Sequence, residues 1–312
     1  MFYPAEASEC RRLARRLVFG AAETSSSAAA IQGTTLERAT SAAPGAPLHA
    51  AGIAAAVVSW KGAIVPHAGW IASGAIAGES LRTLVAAPGP PPQVVVVFGA
   101  VHTPIDLPLA ALDSHARWAV PGGESEVAQE LGTRLVEASE LFAVDDRLHA
   151  REHAVEVELP LIQAAWPGVA VLPVEVPLRE DAVEIGRRAA EQVRFSGLRA
   201  VFLASSDLTH YGPSYGFAPA GIGEQGLAWA KDNDRRLLDL VADLAAERVV
   251  PEVRARANAC GGGAIAAMLS ACRDFGAARA DVLRHANSYE TLADVAPQRP
   301  VDAVGYAAVV VV

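Results

Sequence analysis

Two rhythms alternate along the chain. In one, apolar residues recur every three or four positions; in the other, they run without interruption for four to eight residues, as ~4–8-residue buried strands do. The first rhythm predicts a helix from Ala5 to Val18, with Cys10, Leu13 and Leu17 on one side and Arg11, Arg12, Arg15 and Arg16 on the other. The second predicts strands at Ala63 to Val65 and Val94 to Phe98, the latter wholly β-branched or aromatic, as a strand covered on both faces should be. Further strands are expected at Val169 to Val176, Arg199 to Ala204, Asp281 to His285 and Ala303 to Val311. Helices are expected at about Ser73 to Val85, Glu124 to Leu141, Ala154 to Ala165 (stopped by Pro167-Gly168), Asp181 to Phe195, Gln225 to Val249 in two pieces, and Gly263 to Phe275.

Strands separated by helices imply an α/β fold: a single domain spanning 1–312, with a central mostly parallel or mixed sheet and helices on both faces. From about 21 to 55 the pattern fades into Ala, Ser, Thr, Gly and Pro, which reads as a low-complexity insertion. His49 lies there, without rigid surroundings that would make it a ligand. No internal repeat is evident.

Composition narrows the function classes. The 312 residues are 52% hydrophobic and 20% charged, enough for a large core, and carry a net charge of −9. An acidic chain whose basic run, Arg11-Arg12 with Arg15-Arg16, reads as the solvated face of one helix argues against a nucleic-acid partner. No window has the long apolar run of a membrane-spanning helix, and the acidic start MFYPAEASE has no signal-peptide pattern. The 3 widely spaced cysteines (Cys10, Cys260, Cys272) do not form a disulfide framework, so a reducing, cytoplasmic setting is expected. Cys10 and Cys272 fall on apolar patterns and read as core.

The chemistry-bearing residues cluster where strands end or helices begin. GAIVPHAGWIASG delivers His67 just past a strand, and PPQVVVVFGAVHTP delivers His102 in the same way, as if neighbouring strands opened onto one pocket. REHAVEVELP carries Glu152, His153, Glu156 and Glu158; SSDLTHYG carries Asp207 and His210; NACGGG carries Cys260. Imidazole, carboxylate and thiolate are the side chains that hold first-row transition metals. His67 and His102 read as metal ligands, with Cys260 or Asp207 as the third. Asp207 could equally cap a helix, and it shares a face with His210 if that segment is helical. His210 and His153 are candidate acid/base groups. Cys260 sits before a glycine-rich helix start, where the helix dipole is expected to lower a thiol's pKa. Glu158 reads as part of a solvated acidic face.

In order and spacing, these clusters resemble the Memo family, protein B of the AmmeMemoRadiSam system, which is itself similar in fold to the class III extradiol (LigB-type) dioxygenases. The resemblance runs from the FYPAE start through PHAGW, FGAVHTP, EHAVEVELP, SSDLTHYG and CGGGAIAAML to VGYAAVV. It implies a metal-type pocket in which His67 and His102 match the family's two pocket histidines. Cys260 would match its pocket cysteine, where the dioxygenases use a glutamate. Asp207 and His210 would match the remaining polar pair, His210 standing where the dioxygenases keep a catalytic histidine, and His153 is similar to a motif histidine nearby. Two departures stand out: Val101-His102-Thr103 replaces a Ser followed by two adjacent histidines, and the 21–55 stretch is unusual for the family.

These readings converge on a metal-dependent oxygenase or oxidase of extradiol-dioxygenase type, with non-haem Fe(II) favoured over copper or zinc, acting on a small oxidisable, catechol-like substrate. Two alternatives use the same residues: a non-catalytic metal-binding, redox-handling or peptide-binding member of the family, and a zinc hydrolase. The expected partners are a small-molecule substrate, neither nucleic acid nor membrane, with room for a homo-oligomer.

Overall fold

The computed structural model describes residues 2–20, 60–104, 109–295 and 299–312; the expected insertion at about 21–55, with His49, lies outside them. In chain order the elements are α1 (Ala7–Phe19), β1 (Gly62–Val65), α2 (Trp70–Val85), β2 (Val94–Ala100), β3 (Ala110–Leu112), β4 (Arg117–Val120), β5 (Gly123–Glu126), α3 (Gln129–Ala138), β6 (Phe142–Val144) and α4 (Asp146–His149). A 3-10 turn at Glu156–Glu158 leads into α5 (Leu159–Ala165), β7 (Ala170–Val176), α6 (Ala182–Ser196), β8 (Ala200–Ser205) and β9 (His210–Tyr211). The chain closes with α7 (Glu224–Ala242), α8 (Ala246–Arg256), α9 (Gly262–Asp274), β10 (Ala280–Asn287), α10 (Ser288–Thr291) and β11 (Ala303–Val311).

The main sheet runs β10-β11-β1-β8-β2-β7-β3-β6, with β9 added against β11. It is mixed: β1, β2 and β7 are linked through parallel pairings around β8, whereas β11 is antiparallel to both β1 and β10. The unbroken apolar run of β2 follows from burial on two sides. Val94, Val96 and Phe98 pack with residues of α6, α8 and α9, and Val95 and Val97 with residues of α1, α2 and α5. Each such side chain contributes about 1.5–3 kcal/mol by leaving water. Within one helical layer, α6 and α9 approach closely because a side chain is absent: a Cβ on Gly186 of α6 would collide with the carbonyl oxygen of Ala267 in α9.

β1 and β2 are not neighbours; both flank β8. The expectation of a shared opening survives because all three run parallel, so the loops carrying His67, His102 and Asp207 leave from the same edge of the sheet. The expected helix from Glu124 to Leu141 is corrected. Its first residues form β5, paired with β4 across the Pro121-Gly122 turn, where Gly122 takes φ of 101°, and the helix begins only at Gln129. The helix expected from Ala154 starts as the 3-10 turn and becomes α-helical only at Leu159, with Pro160 in its first turn. Among the described residues no helix is long and apolar enough to cross a membrane.

Candidate metal centre

Pro66 ends β1, and the chain turns back through His67 and Ala68. Both backbone N–H groups donate to Asp207 Oδ1, at 3.0 and 3.3 Å. Asp207 follows β8 and caps no helix; it serves as the buried anchor of the His67 turn. Burial raises its pKa to about 7, against the lowering effect of those hydrogen bonds from Ala68 and His67.

The hydrogen bonds assign the His67 tautomer. The Ser205 hydroxyl donates to the Ala154 carbonyl at 2.6 Å, so its only proton is committed. It must therefore accept from His67 Nδ1–H, 2.8 Å away. That leaves a lone pair on Nε2, which lies 3.3 Å from Cys260 Sγ. His67 is 1% exposed, and burial keeps its pKa well below the ordinary imidazole value, helped by His102, His153 and His210 nearby.

His102 is oriented by a different device. Glu152 accepts the backbone N–H of His102 at 2.8 Å, the N–H of Thr103, and the ring Nδ1–H at 3.1 Å. Burial pushes the Glu152 pKa up, but these bonds outweigh it and hold the carboxyl at about 2. A carboxylate on Nδ1–H again leaves Nε2 bare, the arrangement usual behind metal-bound histidines. His210 repeats it a third time, its Nδ1–H donating to the Leu208 carbonyl at 3.1 Å.

The nitrogen ligand atoms of His67 and His102 and the sulfur of Cys260 lie within 4.8 Å of one another. Among the described residues, Asp207 joins no such group. His102, Glu152 and His153 make a second cluster of the same span, sharing His102 with the first. A third, Asp113, His115 and Asp146, lies away from the cleft, where local hydrogen bonds from Ser114 and His115 occupy the carboxylates.

Cys260 corrects an expectation. Its thiol pKa is not lowered by the start of α9 but pushed up to about 12, by burial and by the charge of Asp207. The Asp207 N–H does point at Sγ, from 3.3 Å, but one neutral donor does not offset the lost water. Glu158 corrects another. It is wholly buried rather than solvated, and neither oxygen has a hydrogen-bond partner.

His153 lies in the loop ahead of the 3-10 turn, with its ring stacked between Phe2 and His102 at centroid distances of 4.5 and 4.6 Å. His210 is in extended chain, paired with Val304 rather than on a helix with Asp207, and Tyr215 packs edge-on against it at 5.1 Å. Together His67, His102, His153, Asp207 and His210 line a cleft of about 460 Å³, whose other walls include Phe2, Ile71, Tyr215, Leu292 and Tyr306. A cleft of about 510 Å³ at the opposite strand ends, between Trp60, Trp166 and the 88–92 proline tract, is lined by no imidazole, carboxylate or thiol among the described residues.

The sequence reading gave no role to three contributors. Ser205 sets the His67 tautomer, Glu152 sets that of His102, and Phe2 closes over His153. Glu152 was visible as the residue before His153, but its partner lies 50 positions away.

The family profile described as Memo-like protein matches residues 46–310. A MEMO1 family protein of Methanococcoides burtonii is 34% identical over 258 residues, covering 80% of this chain and 86% of its own. Another, of Methanosarcina acetivorans, is 34% identical over 254 residues, covering 80% and 85%. Among solved structures, an uncharacterized protein of Escherichia coli K12 is similar at a TM-score of 0.45 and 14% identity, over 73% of this chain and 91% of that one. A profile spanning most of the chain, with relatives at this identity over four-fifths of it, establishes that the protein belongs to the Memo-like family.

Proposed function

We propose that the protein is a metal-dependent oxygenase or oxidase for a small oxidisable substrate of the phenol or catechol class, with Fe(II) held by His67 Nε2, His102 Nε2 and Cys260 Sγ. The observation that carries this reading is the convergence of one ring nitrogen from each histidine and the Cys260 sulfur within 4.8 Å, with both imidazoles fixed by Ser205 and Glu152 in the tautomer that frees Nε2. The donor set fits the group. Two neutral imidazoles and one sulfur suit a first-row transition metal, and a divalent cation strips the proton from a coordinating thiol even where burial holds its pKa high.

When bound, the metal supplies Lewis-acid and redox chemistry at the floor of the cleft. The protein supplies the rest. Glu152 and Ser205 keep the Nδ1 protons in place. His210 stays neutral because burial lowers its pKa, and its free Nε2 can accept a proton from a substrate hydroxyl. Phe2, Ile71, Leu292 and Tyr306 offer apolar surface for a ring. Among the described residues, no Lys or Arg lines the cleft, which disfavours a polyanionic substrate.

Cys260 favours a second reading, in which the same site binds a soft metal such as Cu(I) without turnover, because thiolate is a softer donor than carboxylate. Anaerobic loading with Fe(II), followed by oxygen-uptake measurements over a panel of catechols and phenols, separates the two. Substrate-dependent uptake that is lost in His210→Gln supports the oxygenase or oxidase. No uptake by fully loaded protein with any member of the panel rejects it in favour of the binding role.

A further inference from the structure

Two adjacent polar residues are buried in the middle of α7 and line no part of the cleft. Asp234 is 1% exposed and Asn233 is 2% exposed. Polar groups in such a place cost stability unless hydrogen-bonded, and here their bonds run to two particular segments. Asp234 Oδ1 accepts the N–H of Thr209 at 2.9 Å, and its other oxygen lies 2.9 Å from His285 Nε2. Gly305 makes room for that carboxylate, where a Cβ would strike it. The Asn233 amide donates to Thr209 Oγ1 at 3.1 Å and to the Arg256 carbonyl at 3.0 Å. The Asn233 backbone carbonyl accepts from Asn258 Nδ2 at 3.0 Å.

Thr209 immediately precedes His210, and Arg256 and Asn258 lie on the approach to Cys260. One turn of α7 therefore grips both chain segments that cross beneath the cleft. The segments also meet directly: Leu208 bridges Ala259, and the Cys260 N–H donates to the Asp207 carbonyl at 3.3 Å. Apolar residues would fill the same space, but only directional hydrogen bonds fix the two segments in register.

We propose that Asn233, seconded by Asp234, is a positioning residue that clamps the 256–260 segment to the 207–210 segment and so sets where the Cys260 sulfur meets His67 Nε2. The proposal rests on the reading of Cys260 as a metal ligand. The clamp explains how the donors keep their spacing although Cys260 and His67 lie 193 positions apart in the chain. Partners bonded directly to metal-ligating residues typically change metal affinity by about 10–100-fold when removed, and a clamp one step further out acts at the low end of that range.

The test is anaerobic Co(II) titration of the full chain, followed by the thiolate-to-metal absorption band, for wild type, Asn233→Ala and Asn258→Ala. Each variant is also made in a Cys260→Ser background, with thermal melts alongside. The clamp predicts that both variants weaken Co(II) binding about tenfold and reduce the thiolate band, and that the loss largely disappears when Cys260 is already Ser. Equal losses in both backgrounds mean that the residues merely support the fold and overturn the proposal. So does unchanged affinity with an unchanged band. A wild-type protein that binds Co(II) with no thiolate band overturns the ligand role of Cys260 and the clamp with it. Asn258→Ala removes one tie only and carries the test if Asn233→Ala does not fold.

Discussion

Glu158 offers a prediction about stability that is independent of any metal. It is fully buried, its oxygens have no hydrogen-bond partner, and burial, reinforced by the charge of Asp207, pushes its pKa well above 4.5. In the folded chain it is therefore a neutral acid. In the unfolded chain it ionises near its ordinary pKa. Above that value the folded state holds one proton more than the unfolded state, so stability falls as pH rises, by about 1.4 kcal/mol per pH unit, until the folded pKa is reached. Glu158→Gln keeps the shape and removes the ionisation. The contribution of Asp207 has the same sign in both proteins and cancels in the comparison. The variant should therefore gain on wild type by about 2.5 kcal/mol between about pH 5 and pH 7 while Glu158 stays protonated in the folded chain. Urea unfolding at three pH values across that range reads the difference directly. Parallel curves for the two proteins would refute the reasoning, because they would mean that Glu158 ionises alike in both states.

Other substitutions test separate parts of the account. Glu152→Gln removes the carboxylate that holds His102 and Thr103, and isothermal titration with Co(II) should show a loss of about 10–100-fold in affinity. His210→Gln should leave that affinity unchanged while lowering substrate-dependent oxygen uptake by about 10²–10⁴-fold, the usual worth of a positioned acid/base group. Gly186→Ala should lower stability by about 1–3 kcal/mol in thermal or urea melts, since the new Cβ meets the Ala267 backbone and cannot be relieved by a side-chain rotation.

Much of the sheet was legible because its central strands are buried on both faces. β2 and β8 announce themselves as unbroken apolar runs, and Ala303–Val311 matches its expected bounds residue for residue. The strands that escaped notice are short or sit at edges: β3 and β6 have 3 residues and β9 has 2, too few for a period of two to register. The end of β5 was hidden at the start of a stretch rich in helix-favouring Glu, Ala and Leu, whereas the turn at Pro121-Gly122 pairs it with β4. His67, His102, Asp207 and His210 could be picked out because each sits beside a strand end, and His153 because it precedes a helix start; the fold brings them to one cleft. What position in sequence could not convey is depth. The burial that raises the Cys260 thiol and neutralises Glu158 comes from elements distant in the chain, as do the Glu152 and Ser205 contacts that fix the two imidazoles.

The central claim is that His67, His102 and Cys260 together hold one metal ion. Equilibrium binding of Fe(II) under anaerobic conditions, with metal content measured per chain, tests it most directly when wild type is set beside His67→Ala, His102→Ala and Cys260→Ser. The account predicts one tightly bound ion per chain in wild type and a sharp loss in each variant that stays folded. Binding that is absent in wild type, or unchanged in all three variants, would contradict it.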